Sequence, residues 1–83
     1  MSEPAAVYVT SLERLVALLR AGDDRAALRM ASRWPRLGQE GAAIRAGWDA
    51  AAHPGFYVQV GKDPEALVRA GVAALRRRYQ GHL

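Results

Sequence analysis

Trp34-Pro35-Arg36-Leu37-Gly38-Gln39-Glu40-Gly41-Ala42-Ala43-Ile44-Arg45-Ala46-Gly47-Trp48 decides how this chain reads as a fold. It carries both tryptophans, and a proline and a glycine separate two segments that each read as helix. Pro35 disfavours helical geometry at the residue before it, so a helix arriving from the N-terminal side stops near Arg33 or Trp34. Leu37-Gly38 completes a corner. A new helix then runs from about Gln39 to Ala51, with Ile44, Gly47, Trp48 and Ala51 on its apolar stripe. Gly41 and Gly47 each cost about 1 kcal/mol relative to alanine. A glycine inside an apolar stripe therefore points to close approach by another helix or by an indole. Both indoles are expected to be mostly buried in one cluster with Ile44, and Trp48→Ala to cost roughly 3–5 kcal/mol.

Upstream, Asp23 or Asp24 caps the helix that enters the corner, and both acids suit the positive end of its dipole. Ala27, Leu28, Met30, Ala31 and Trp34 form its broad apolar face, with Arg25, Arg29 and Arg33 opposite. Before it, Thr10 and Glu13 have capping-box spacing and open a helix over about Ser11 to Ala21, with Leu12, Leu15, Val16 and Leu19 as its stripe and Gly22 at its end. Residues 1–9 read as a flexible arm.

Downstream, His53-Pro54-Gly55 ends the post-corner helix. Phe56-Tyr57-Val58-Gln59-Val60-Gly61 is aromatic and β-branched, but no partner strand is evident. A short helical turn or an extended connector is preferred, with Phe56 and Val58 or Val60 plugged into the core. Asp63-Pro64-Glu65 is a strong helix start. That last helix runs to about Tyr79, with Val68, Val72, Leu75 and Tyr79 on its stripe and Leu67, Gly71 and Ala74 beside it. The expectation is an all-α single domain: a small bundle of four helices over residues 10–80, then a frayed tail, 81–83. The sequences Ala17–Gly22, Ala42–Gly47 and Ala66–Gly71 share the pattern Ala-X-X-Arg-Ala-Gly at intervals of 25 and 24 residues. In a chain so rich in Ala, Arg and Gly, coincidence explains this better than a solenoid repeat.

Eighty-three residues, half of them apolar, are enough for one modest core. The chain contains no cysteine, which removes disulfides, zinc-thiolate sites and thiol nucleophiles. No run approaches the roughly 18 apolar residues of a membrane span, and Met-Ser-Glu-Pro does not read as a signal peptide. A soluble, cytoplasmic protein without membrane association is expected. Catalytic signatures are lacking. His53 reads as a connector or capping residue and His82 as a tail residue; neither has a partner at metal-ligand spacing. Ser2, Ser11 and Ser32 lie in no nucleophile elbow, and Gly38-Gln-Glu-Gly41 lacks the ending of a phosphate loop. The chain is thus expected to be no enzyme, with no cofactor, metal or small-molecule substrate.

The charge is +4, from 12 basic and 8 acidic residues, and every base except Lys62 is arginine. A GC-rich genome accounts for such a bias without selection for binding, so placement has to carry any functional claim. Arg25, Arg29, Arg33 and Arg36 lie in a stretch without acids, with Arg45 on the next helix. Such a ridge can track phosphates, and helix, corner and helix form the outline of a helix-turn-helix. The outline is imperfect, because the corner contains Pro35 and looks long, and Gly41 weakens the start of the second helix. An amphipathic helix also requires a solvated face of this kind. The candidate nucleic-acid-binding residues are Arg25, Arg29, Arg33, Arg36 and Arg45. Arg76-Arg77-Arg78, at a helix C-terminus, are explained by the dipole. The competing partner is protein: Leu18 beside Leu19 and Leu67 beside Val68 give their helices more apolar breadth than one stripe, which suits self-association or an adaptor or inhibitor.

The run Trp34-Pro-Arg-Leu-Gly38, Ile44-Arg-Ala-Gly-Trp48, Pro54-Gly-Phe-Tyr57, Gly61-Lys-Asp-Pro-Glu-Ala-Leu-Val68 and Arg78-Tyr79 resembles short proteins encoded in prophage and gene-transfer-agent-like clusters of GC-rich bacteria. The resemblance covers about residues 25–79. It implies a phage-type accessory protein, a regulator or a DNA-packaging component of the small-terminase kind, and it carries no site residues with it.

Overall fold

A computed structural model describes residues 4–83, with side chains from Ser11 onward. The described residues form five α-helices and no strand: α1 (Pro4–Ala21), α2 (Asp24–Ala31), α3 (Gly41–Ala52), α4 (Pro54–Gln59) and α5 (Pro64–Arg78). Short 3-10 turns at Gly38–Glu40 and Gln80–His82 precede α3 and follow α5. No described helix is long and apolar enough to cross a membrane.

Two of the expected N-caps act where the sequence places them. The Asp23 carboxylate accepts from the Ala26 amide, and that of Asp63 accepts from the Glu65 amide at 3.0 Å, with Pro64 in the first turn of α5. Gly22 closes α1 at φ +79°, a conformation that side chains other than glycine's resist. Two expectations about ends are corrected. The first helix starts at Pro4, so Thr10 lies inside α1 instead of capping it; proline is tolerated in a first turn, where its missing amide has no helical partner. Only residues 1–3 of the expected arm fall outside the described residues. The helix before the corner ends at Ala31, earlier than Pro35 alone requires. There Ser32 closes it, its hydroxyl donating to the Arg29 carbonyl at 2.9 Å. The tail is also more than a frayed end: residues 80–82 make a turn, and Arg20 donates to the His82 carbonyl at 3.0 Å.

The core gathers Leu15, Leu19, Ala27, Leu28, Ala31, Leu37, Ile44, Ala74, Leu75 and Tyr79, drawn from α1, α2, α3, the corner and α5. The closest helix pair is α3 and α5, which meet at two glycines. A Cβ built on Gly71 would stand 2.9 Å from the Ala43 carbonyl oxygen and 3.0 Å from Gly47 Cα. These are the glycines of the second and third copies of the Ala-X-X-Arg-Ala-Gly pattern, so two copies that sequence reasoning set aside lie face to face. Gly47 therefore marks the approach of another helix and not of an indole.

The corner is held from α5. Arg36 has φ +60°, a strained value for a side chain of its size, and Gly38 has φ +68°. The Arg78 guanidinium donates to the Arg36 carbonyl at 2.8 Å and packs so near Gly38 that a Cβ there would meet it at 2.9 Å. Tyr79 meets Trp34 edge-on, with centroids 5.9 Å apart. Arg76 donates to the Leu19 carbonyl at 3.0 Å and pairs with Asp24 at 3.6 Å, which ties the end of α1 and the start of α2 to α5. The run Arg76-Arg77-Arg78 thus supplies two structural clamps as well as charge for the helix end.

Residues 54–59 form the helix α4, and the expected plug is corrected: Phe56, Val58 and Val60 are 58, 63 and 53% exposed. Pro54 at the first turn restarts a helix directly after His53, which turns these side chains to solvent. The apolar surplus expected at Leu18–Leu19 and Leu67–Val68 lies here instead, since Leu19 is buried and Leu18, Leu67 and Val68 are half-buried.

Candidate functional site

A concavity runs beside α2. It is a groove of about 640 Å³ lined by Leu18 of α1, Ala26 and Met30 of α2, Trp34 after it, and Trp48 and Ala51 of α3, with Arg25, Arg29 and Arg33 along one wall. Each part has a local cause. The i, i+4 spacing of Arg25 and Arg29 sets them about 6 Å apart along the axis of α2. Arg33 continues the row in the turn that closes the helix. Ala26 and Ala51 are small, which leaves room between α2 and α3. Trp34 and Trp48 pack against the core cluster containing Ile44, yet both are half-buried. Both indoles thus join the cluster with Ile44, as expected, and the part of each that stays accessible lines the groove.

Among the described residues, no carboxylate pairs with Arg25, Arg29 or Arg33; the carboxylate of Asp24 is instead engaged with Arg76. Arg25 has one structural contact, a long 3.4 Å bond to the Ala51 carbonyl at the C-terminal end of α3. That bond draws its guanidinium over the groove. Arg36 and Arg45 do not line it. Arg36 lies in the corner, its carbonyl held by Arg78, and the Arg45 guanidinium folds back beside Gly41 at the start of α3. Of the five candidate arginines, the structure brings three together. Residues 32–40 separate α2 from α3, well beyond the 3–4-residue turn of a helix-turn-helix. The exposed positions of α3 are Ala42, Arg45, Asp49 and Ala52, a poor inventory for reading base edges.

A polar cluster that sequence reasoning missed joins α3 to α4. The Tyr57 hydroxyl donates to Asp49 Oδ2, and His53 Nδ1 lies 3.4 Å from Asp49 Oδ1. The spacing 49, 53, 57 was available as a signal but was obscured by Pro54, which reads as a break. The hydrogen bond to Asp49 raises the Tyr57 phenol above its ordinary value of 10.0, with smaller contributions from lost solvation and from the neighbouring negative charge. The bond favours the folded state below pH 10, and that contribution is lost as pH rises through the raised value. An ultraviolet phenolate titration of the protein minus that of Tyr57→Phe should show a late transition, and Asp49→Asn should return it to the ordinary range. A Tyr57 transition unmoved by Asp49→Asn would disprove the assignment. The cluster is solvent-exposed and joins α4 and the residue before it to α3, so it serves as a latch between the two helices. No group of three or more His, Asp or Glu able to hold a metal occurs among the described residues.

No protein-family model, no curated protein and no solved structure matches this chain.

Proposed function

We propose that this chain is a non-enzymatic nucleic-acid-binding accessory protein of the phage type, acting in the cytoplasm. In this reading the four longer helices, α1, α2, α3 and α5, serve as a small bundle that presents the arginines. The observation that carries it is the row Arg25, Arg29, Arg33 along one groove wall, with no described carboxylate paired to it. Guanidinium groups so placed can fork onto phosphate oxygens. Arg36 and Arg45 flank the row and contribute charge at longer range. The resemblance to prophage-type proteins points the same way.

The test is a titration of random-sequence DNA at 50 and 200 mM salt, conditions over which counterion release is readily measured. Three phosphate contacts weaken binding roughly 20–40-fold between these concentrations. Changing Arg25, Arg29 and Arg33 together to alanine should remove most of the affinity and flatten the salt dependence. A triple variant that binds as the parent does at both concentrations refutes the reading.

A second reading, an adaptor or inhibitor that docks on protein or on its own copy, draws support from the exposed Phe56, Val58 and Val60 of α4. Sedimentation of a monomer at all accessible concentrations, with no protein captured, counts against it.

A further inference from the structure

We infer that the groove takes a single strand, with phosphates on Arg25, Arg29 and Arg33 and unpaired bases against Trp34, Trp48 and Met30. This rests on the nucleic-acid reading above and narrows it from nucleic acid in general to strands whose bases are free. The cationic wall and the apolar floor belong to one groove. A duplex uses only the wall. Its bases are paired and stacked inside, so Leu18, Met30, Trp34 and Trp48 would face sugar and phosphate and gain nothing. An unpaired strand uses both parts, because every base has an apolar π-face that stacks on aromatic side chains while its phosphate stays outside. Met30 adds a flexible, polarisable surface that accommodates bases of different shape. The separation of Arg25 and Arg29, about 6 Å along α2, is of the same order as one nucleotide of an extended strand. The long connection 32–40 and the sparse exposed face of α3 leave the fold without a recognition helix for a major groove. Binding on this floor would be tolerant of base sequence.

The test uses the full chain and four probes of matched length: oligo-dT, an abasic oligonucleotide with the same phosphates, duplex DNA, and an acidic amphipathic peptide. Binding is followed by anisotropy and by tryptophan fluorescence, since both indoles of the protein line the groove. Oligo-dT should quench the tryptophans and bind at least about tenfold more tightly than the abasic strand or the duplex, the scale of one stacked base. Ala26→Leu, which fills the groove from the half-buried face of α2 and keeps all three arginines, should abolish that preference while leaving the salt-dependent duplex binding. Circular dichroism checks that the variant stays folded, and Ala26→Ser, which adds little bulk, should keep the preference. If oligo-dT, abasic strand and duplex bind equally and all depend on the arginines, phosphate gripping stands and the stacking floor is overturned. If no nucleic acid binds, the wider reading falls with it. If the acidic peptide alone binds and quenches, the groove is a peptide site and the single-strand assignment is wrong.

Discussion

Gly71→Leu is expected to leave this protein without a cooperative unfolding transition. The cause is the crossing of α3 and α5. Even a methyl at Gly71 would sit 2.9 Å from the Ala43 carbonyl oxygen and 3.0 Å from Gly47 Cα, and both are backbone atoms that cannot rotate away. On its third side it meets Leu28 Cδ2 at 3.2 Å, inside the core. Gly71→Ala should therefore lower stability by roughly 1–3 kcal/mol, although alanine by itself favours a helix by about 1 kcal/mol over glycine. The leucine variant adds a branched side chain to the same space, against a total stability of roughly 4–12 kcal/mol for a chain of this length. Gly55→Ala is the control. It also lies in a helix, but a Cβ there meets nothing within 4 Å, so the substitution should be neutral or stabilising by up to about 1 kcal/mol. Urea midpoints measure all three. A Gly71→Ala variant as stable as the parent would show that the helices do not cross at this point.

The second large effect is an ordering: Leu28→Ala should destabilise more than Trp48→Ala. Leu28 is wholly buried where α2 meets α5, so its truncation leaves a void with no route for solvent, costing about 2–5 kcal/mol. Trp48 is larger, and the sequence leads to an expected cost of roughly 3–5 kcal/mol for its loss. It is half-buried beside the groove, however, and truncation there widens a space already open to water. Its cost should fall at or below the lower end of the roughly 3–5 kcal/mol typical of a buried tryptophan. Denaturant titration of both variants gives the order directly. The reverse order would mean that the groove is closed in solution, and it would also remove the floor on which unpaired bases are proposed to stack.

Much of the fold was legible because its signals are local. Asp23 and Asp63 cap helices through their own neighbours, Gly22 ends one by its φ, and Ile44 and Leu75 fall on stripes that periodicity alone reveals. Phe56, Val58 and Val60 misled because apolar character reports a tendency to be buried, and Pro54 started a helix that carries them outward. Of the candidate site, the row Arg25, Arg29, Arg33 was visible as a four-residue rhythm. The groove beneath it was not, because its floor comes from three helices.

The sequence by itself determined a helical fold, both ends of α3 and α5 to within about two residues, and which face of α2 carries cations, since each follows from interactions within a few residues. Only the tertiary structure decided that Gly47 and Gly71 meet, that Arg76 and Arg78 clamp distant backbone carbonyls, and that the indoles line an open groove. Those facts depend on distances between segments far apart in the chain, and no local propensity encodes them.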